Sequence, residues 1–286
     1  MNLSKYSEER VTWLCKILLV ISTSCSIPSS CLGNNDVLSV GNLPDNMLLG
    51  CAKKQTNVKG SNSECSLEKP MDCAEIMEMY NSTRSGAFHI YPRSRVSKGL
   101  MQVYCDMEDD GGGWTVLQRR GDFDSAEDYF FRDWLNYKNG FGDLQKDFWI
   151  GNDAIFALTN QRLNLVKFVL TDWESNTTYA TYDKFWIDDE EHNYTLHAQG
   201  YRGTAGDSFS KKNGMAFTTK DRDNDNYPKN CAVACKGAWW YTGCHASNLN
   251  GYYLKGPHET HADGVNWRDF RGYKYSLKDT IIKIRP

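Results

Sequence analysis

The 286-residue chain lacks a hydrophobic run long enough to cross a membrane, and it lacks a large excess of charge of either sign. The apolar stretch from Val11 to Ile21 is interrupted by Lys16 and is much shorter than the roughly 20 residues of a membrane helix. Lys and Arg number 33 against 36 Asp and Glu, a formal net charge of −3. We therefore predict neither a membrane span nor electrostatic binding to nucleic acid.

Repeats and catalytic motifs are also missing. The sequence has no Gly-X-Y repeat and no heptad run, so a collagen stalk is excluded and a coiled-coil stalk is unsupported. The G-x-S-x-G turn of many hydrolases is absent. His258 and His261 lie in H-E-T-H rather than H-E-x-x-H, and a zinc site that also uses His245 is not favoured. We predict that the protein is not an enzyme.

The N-terminal segment has the layout of a secretory signal peptide. Lys5 and Arg10 precede the apolar stretch, and small residues follow it. We predict a signal peptide at 1–26, with cleavage near 26 or 33; a signal anchor is the alternative. Residues 27–71 are polar and are predicted to form a short linker or stalk that carries cysteines. Residues 72–286 are predicted to form the globular domain.

Ten cysteines fit the oxidising compartment that a signal peptide implies. Sequence alone does not give their pairing. Three Asn-x-Ser/Thr triplets, at Asn81, Asn176 and Asn193, are glycosylation acceptors in such a compartment. We therefore predict a secreted, extracellular glycoprotein with disulfide bonds.

Alternating and turn-forming residues predict a mixed α+β domain. Leu100–Met107 and Trp114–Arg119 are predicted to be strands joined by a Gly-rich turn. Gly151–Gln161 is predicted to be a short helix with Asn152 as its N-cap. Leu163–Asp172 and Thr178–Ile187 are predicted to form an antiparallel hairpin. After about residue 200, loops dominate the sequence.

The acidic stretch from Asp221 to Asp225 is a candidate cation site. Its carboxylates alternate with other residues, and calcium binds six to eight oxygens from carboxylates, carbonyls and water. The stretch is not an EF-hand, because Gly is missing at the sixth position and no Glu closes the loop. A solvated acidic turn is the alternative, since such strings are common in turns.

Four long motifs lie along the chain: D-C-A-E-I at 72–76, Y-C-D-M-E-D-D-G-G-G-W-T-V-L-Q-R-R at 104–120, K-D-F-W-I-G-N at 146–152 and G-A-W-W-Y-x-x-C-H-A-S-N-L-N-G at 237–251. They resemble the fibrinogen-related domain, and within that family the tachylectin-5-type and ficolin-type lectins. The resemblance covers about three quarters of the chain. It implies an α+β fold with a small N-terminal part, a central twisted antiparallel sheet and a loop-rich, calcium-binding C-terminal part.

The resemblance also implies particular disulfides and metal ligands. It pairs Cys73 with Cys105 and Cys231 with Cys244. It assigns calcium to the side chains of Asp223 and Asp225 and to the carbonyls of Tyr227 and Lys229. Cys51, Cys65 and Cys235 are then left over. An odd number in a secreted chain predicts an intermolecular bridge or a free thiol, and we expect a homo-oligomer that such a bridge can link.

In the lectins of this family, the loop closed by the second disulfide forms one wall of a pocket for acetyl groups. The resemblance therefore implies a cis bond between Gly243 and Cys244, and a role for His245 beside it. Tyr273 keeps one of three aromatic wall positions. Cys235 and His261 stand where aromatics are usual, which predicts a wider or more polar pocket.

These observations together predict a secreted lectin of innate immunity that binds acetylated or related glycans on microbes. The alternative is a protein-binding fibrinogen-like ligand in signalling or coagulation. The nearby thiol and imidazole of Cys235 and His245 are predicted to be structural rather than catalytic. The neighbouring Trp239 and Trp240 are predicted to lie in the core.

Overall fold

The computed structural model describes residues 69–94 and 99–286. The predicted signal peptide at 1–26, its cleavage site and most of the predicted linker at 27–71 lie outside the described residues. Cys51 and Cys65 lie outside them as well.

A nine-stranded antiparallel sheet organises the described part of the chain. Its main path runs β1-β2-β3-β13-β6-β7-β8, and β4 and β5 pair beside β3. Two further two-stranded sheets, β10 with β12 and β9 with β11, lie in the C-terminal part. The strands described are β1 Gly86–Ile90, β2 Met101–Asp106, β3 Trp114–Arg120, β4 Phe141–Gly142, β5 Phe148–Trp149, β6 Asn164–Thr171, β7 Thr177–Ile187, β8 Leu196–Gly203, β9 Ser247–Asn248, β10 Gly256–Pro257, β11 Asn266–Trp267, β12 Tyr275–Ser276 and β13 Asp279–Arg285.

Short helices connect and cover these strands. Asp72 caps the first of them by accepting a hydrogen bond from the Glu75 backbone N–H at 3.1 Å. The described α-helices are α1 Cys73–Tyr80, α2 Trp134–Asn139, α3 Asn152–Thr159, α4 Cys231–Ala234 and α5 Arg268–Arg271. Within residues 69–94 and 99–286, single 3₁₀ turns occur at Asp109–Gly111, Glu190–His192 and Ser210–Lys212. None of the described helices is long and apolar enough to span a bilayer.

The predicted α+β class is confirmed, and the predicted strands and hairpin are present with shifts of one or two residues at their ends. The predicted helix cap is wrong. Asn152 is the first helical residue and Gly151 is the N-cap, at a φ of 106° that side chains rarely adopt. The Asn152 carboxamide instead accepts a hydrogen bond from the Trp149 indole at 3.1 Å.

Buried polar residues of β3 hold the C-terminal loops against the sheet. Gln118 donates to the Leu249 carbonyl at 3.1 Å and to the Asn250 side chain at 2.8 Å. The Arg120 guanidinium donates to the carbonyls of Leu249 and Gly251. Burial lowers the pKa of Arg120 to about 10. Removing Gln118 would take the donor from the Asn250 side-chain oxygen, and removing Arg120 would take it from the Gly251 carbonyl, so these contacts fix the loop that follows the predicted pocket.

Aromatic rings fill the space between the sheet and the loops. Trp239 and Trp240 are buried, as predicted, and Trp267 is buried too. The Trp240 indole donates to the Tyr194 carbonyl, and the Trp267 indole to the Gly206 carbonyl. Because all three rings are buried, and the indoles of Trp240 and Trp267 donate to carbonyls inside the protein, these tryptophans support the site from below rather than forming its surface.

Candidate functional site

Both disulfides implied by the resemblance are present in the structure. Cys73 bonds to Cys105, and Cys231 bonds to Cys244. The second disulfide joins the start of α4 to a loop thirteen residues later. Asn230 caps α4 by accepting a hydrogen bond from the Val233 N–H at 3.0 Å. A short helix and a covalent bond therefore fix both ends of the predicted pocket wall.

Two asparagines of the A-S-N-L-N-G run brace this wall from inside. The buried Asn248 amide donates to the Cys235 carbonyl at 2.8 Å, and its oxygen accepts from the Tyr241 hydroxyl at 2.7 Å. The Asn250 amide donates to the Ala238 carbonyl at 3.0 Å. The run therefore maintains the loop geometry, and neither asparagine is exposed to a ligand.

The peptide bond between Gly243 and Cys244 is cis. The carbonyls that follow it are used within the protein. The Cys244 carbonyl accepts from the Thr242 N–H at 2.7 Å, and the His245 carbonyl accepts from the Tyr273 hydroxyl at 2.9 Å. A ligand at this wall would therefore meet N–H groups and ring atoms rather than these carbonyl oxygens.

His245 is a neutral imidazole with a defined tautomer. Its Nε2 lies 2.7 Å from the Ala262 carbonyl, which can only accept, so Nε2 carries the proton. Nδ1 is then an acceptor, and it is buried without a hydrogen-bond partner among the described residues. Burial lowers the pKa of His245 to about 3, and the charge of Lys212 adds to the effect. The side chain therefore carries one unsatisfied acceptor, which is buried in this conformation.

Tyr273 lies between two histidines at the rim. Its ring centroid is 5.7 Å from that of His245 and 5.1 Å from that of His261. His261 is exposed, and Tyr273 is partly buried. Of the predicted ligand-binding residues, the structure brings these three rings together beside the Cys231–Cys244 loop.

Cys235 is not at the rim. It has no disulfide partner among the described residues and only 5% of its surface is exposed. Burial raises the pKa of its thiol to about 12. Of the two alternatives that the odd cysteine count left open, this burial favours a free thiol at Cys235 over an intermolecular bridge. Its backbone carbonyl supports the loop, and its small side chain lies beneath the surface.

Tyr227 is a site feature that the sequence reasoning missed. It was predicted only as a carbonyl ligand, but its side chain is 47% exposed. A Cβ placed on Gly243 would lie 4.0 Å from the Tyr227 ring and near no other atom outside its chain neighbours. An accessible ring therefore stands next to the cis peptide bond. The sequence contains no signal for this, because the contact joins two loops.

The acidic stretch divides its side chains between scaffold and surface. Asp221 accepts from the Trp134 N–H at 2.9 Å and from the Thr219 hydroxyl. Asn224 donates to the Phe217 carbonyl at 2.8 Å. These contacts hold the loop in place. Asp223 and Asp225 are left as the two carboxylates that do not anchor it to the sheet.

The pair Asp223 and Asp225 fits calcium in the chemistry of its donors. The Asp225 carboxylate accepts from the N–H groups of Tyr227 and Cys231, both at 2.9 Å, which fixes its orientation. Burial and the nearby Asp223 charge raise the pKa of Asp225. No group of three or more His, Cys, Asp or Glu converges among the described residues, so further ligands would be backbone carbonyls and water. An all-oxygen set of this kind suits calcium rather than zinc.

The sequons differ in accessibility. Asn81 and Asn176 are exposed, although the Asn176 amide donates to the Asp172 carboxylate at 2.9 Å. Asn193 is half-buried, and its side-chain oxygen accepts from Arg222 at 2.6 Å. Glycosylation at these positions stays a prediction.

A cavity of about 440 Å³ lies next to the pocket rather than in it. Its lining includes Tyr253 and Leu254 from one chain segment and His258, Glu259 and Thr260 from the next. Thr260 is followed directly by His261, so one short segment borders both the cavity and the predicted pocket.

The family relationship agrees with this geometry. Residues 69–286 match the family described as fibrinogen beta and gamma chains, C-terminal globular domain. The chain is 52% identical to Techylectin-5A of Tachypleus tridentatus over 217 residues, which are 76% of this chain and 74% of that protein. It is 48% identical to a Techylectin-like protein of Phoneutria nigriventer over 219 residues, 76% and 82% of the two chains.

A solved structure shows the same fold. The fibrinogen-like globe domain of human ANGPTL2 matches with a TM-score of 0.72 and 42% sequence identity, over 76% of this chain and 99% of that one. The resemblance drawn from the four motifs is confirmed. The chain belongs to the family of fibrinogen C-terminal globular domains, with lectin-like proteins among its relatives.

Proposed function

We propose that this protein is a secreted lectin of innate immunity that binds N-acetylated glycans on microbes through a calcium-supported pocket. The pocket is formed by the Gly243–Cys244 peptide, His245, His261 and Tyr273. Binding is its whole activity, and the residues around the site carry out no covalent chemistry. The lectin names of its relatives support this proposal at the level of the family.

The observation that carries the proposal is the unpartnered Nδ1 of His245. A buried acceptor without a donor is costly, and a ligand N–H that reached Nδ1 as the Cys231–Cys244 loop adjusted on binding would satisfy it. An acetamido group has such an N–H, a carbonyl oxygen for the backbone N–H groups of the wall, and a methyl group for the Tyr273 ring. No hydroxyl-only sugar offers this combination. An N-acetylated sugar is therefore the ligand class that best matches the donors and acceptors present.

Calcium would act on the wall rather than on the sugar. Asp223 and Asp225 would hold it, together with the carbonyls of Tyr227 and Lys229. It would supply positive charge that offsets the repulsion between the two carboxylates. Asn226, which follows Asp225, donates its N–H to the Thr242 carbonyl at 3.3 Å. Thr242 directly precedes the cis peptide bond between Gly243 and Cys244. Ordering the acidic loop would therefore order the pocket wall as well.

Titration calorimetry can test this proposal with N-acetylglucosamine and glucose as matched ligands. We expect the wild-type protein with calcium to bind the acetylated sugar and not glucose, and a chelator to abolish binding. His245→Gln should lose binding, since the Nδ1 acceptor is gone. His192→Gln is the matched control, because His192 is exposed on a 3₁₀ turn. Equal affinity for the two sugars would refute the role of the acetamido group.

A protein ligand is the second candidate, and one observation favours it. The A-S-N-L-N-G run, which pointed to a lectin, is explained by internal bracing through Asn248 and Asn250. The run is therefore stronger evidence for the fold than for a sugar-binding function. A glycan array with and without chelator distinguishes the candidates. A protein that binds no glycan on the array in calcium would support the protein ligand.

A further inference from the structure

The cavity beside the pocket is a built feature of the fold. Tyr253, on its apolar side, is fixed by a hydrogen bond from its N–H to the Glu127 carbonyl at 2.9 Å and from its hydroxyl to the Lys278 carbonyl at 2.8 Å. The Leu254 N–H donates to the Ser276 hydroxyl at 3.1 Å. The floor therefore has a fixed shape, and its volume of about 440 Å³ lies within the usual range of small-ligand sites, roughly 300–1,000 Å³.

The second lining segment, His258–Thr260, is also held by hydrogen bonds. The His258 N–H donates to the Lys274 carbonyl at 3.0 Å, and the Thr260 hydroxyl donates to the Asp263 carboxylate at 2.7 Å. The next residue is His261, whose ring contacts Tyr273 in the proposed pocket. Adjacent Cα atoms are about 3.8 Å apart, so the cavity begins within one residue of the pocket rim.

The charge of the lining distinguishes among ligands. Glu127 and Glu259 line the cavity and are exposed. Neither takes part in an ion pair within the part of the chain that the structure describes. Lys255 also lines it, but its ammonium is 2.9 Å from the Asp122 carboxylate. The cavity therefore presents free carboxylates, which accept hydrogen bonds from hydroxyl or amino groups and repel acidic groups.

We propose that this cavity is a second sugar subsite, which takes the residue joined to the N-acetylated sugar in the pocket and prefers neutral or amino sugars to acidic ones. The apolar floor of Tyr253 and Leu254 receives the C–H face of that sugar, and Glu127 and Glu259 accept hydrogen bonds from its hydroxyls. The proposal rests on the proposed function, because the cavity alone has no acetyl-binding wall.

Calorimetry with N-acetylglucosamine and its β1,4-linked dimer tests the subsite. Two added hydrogen bonds predict that the wild-type protein binds the dimer about tenfold more tightly than the monomer. The variant carrying both Glu127→Ala and Glu259→Ala should lose this gain and keep the monomer affinity. Glu78→Ala is the matched control, since Glu78 is exposed on α1.

The outcomes separate the two proposals. If the monomer is not bound, the proposed function fails, and the subsite fails with it. If the monomer is bound but the dimer gains nothing, or if the gain survives in the double variant, only the subsite is overturned. A dimer whose second sugar carries a carboxylate should bind less tightly than the neutral dimer, and equal binding would overturn the preference for neutral sugars.

Discussion

Lys212 gives the sharpest test of the energetics of this fold. It ends a 3₁₀ turn, is only 1% exposed, and its ammonium nitrogen has no hydrogen-bond partner among the described residues. Burial lowers its pKa from 10.5 to about 7, partly offset by the nearby Cys235. We predict that Lys212→Met stabilises the protein, because the unbranched methionine fills the same space without a charge to bury.

The magnitude follows from the change in proton affinity. Each tenfold change corresponds to about 1.4 kcal/mol, so the displacement from 10.5 to about 7 corresponds to roughly 5 kcal/mol. This is an upper limit, since local relaxation and water entry recover part of the cost. We therefore expect Lys212→Met to raise the free energy of unfolding by ~2–5 kcal/mol at pH 6, where lysine is protonated in both states.

The stability gained by Lys212→Met must decrease as the pH rises. Between pH 7 and 10.5 the unfolded chain keeps a proton that folded Lys212 has lost, so wild-type stability rises with pH relative to the variant. The advantage of Lys212→Met should shrink through this window and vanish near pH 10.5. Comparing the two proteins cancels the titration of the tyrosines, which is common to both.

Urea unfolding followed by tryptophan fluorescence, with disulfides intact, measures the free energy of unfolding of both proteins at pH 6, 8 and 9.5. Lys211→Met is the matched control, because Lys211 is the exposed neighbour and should change stability by less than about 0.5 kcal/mol. A Lys212→Met gain that is the same at every pH, or no gain at pH 6, would refute a desolvated ammonium.

Three further predictions concern the metal, the rim and the cysteines. Calcium should raise the melting temperature, because a hundredfold excess over Kd raises the free energy of unfolding by about 2.7 kcal/mol. Asp223→Ala should abolish this temperature shift in scanning calorimetry, and an unchanged shift would show that Asp223 is not a ligand. His261→Tyr should strengthen N-acetylglucosamine binding by about 0.5–1.5 kcal/mol in titration calorimetry. Equal affinity of the wild-type protein and the variant would show that position 261 does not line the site. Non-reducing electrophoresis should show a covalent oligomer that Cys51→Ser with Cys65→Ser converts to monomer; a wild-type monomer band would contradict intermolecular bridging.

The sheet was predictable because its signal is local. Trp114–Arg120 and the β6–β7 hairpin alternate or run apolar over several residues and are bounded by turn residues, so their neighbours in sequence decide their structure. The cap of α3 failed for a related reason. Asn152 is a residue type that is often an N-cap. In the folded chain, however, the cap position has a backbone conformation that only glycine adopts easily, and Gly151 occupies it.

The site was less predictable because its chemistry depends on long-range contacts. Lys211 and Lys212 are identical neighbours in sequence, yet only the second is buried. The tautomer of His245 depends on the carbonyl of Ala262, seventeen residues away. The disulfide pairing came from the resemblance alone, since spacing does not determine it. Burial and hydrogen-bond partners of this kind exist only once the loops have been packed.

The construction of the site separates what maintains the fold from what contacts a ligand. Asn248, Asn250 and the second disulfide hold the wall through buried bonds, so their loss would disturb the domain whatever it binds. His261 lies at the exposed rim, so a substitution there changes the surface offered to a ligand at little cost to the fold. The similarity to a lectin extends over 217 residues and so includes residues of both kinds. It therefore establishes the scaffold, while the preferred sugar has to be measured on the rim of this chain itself.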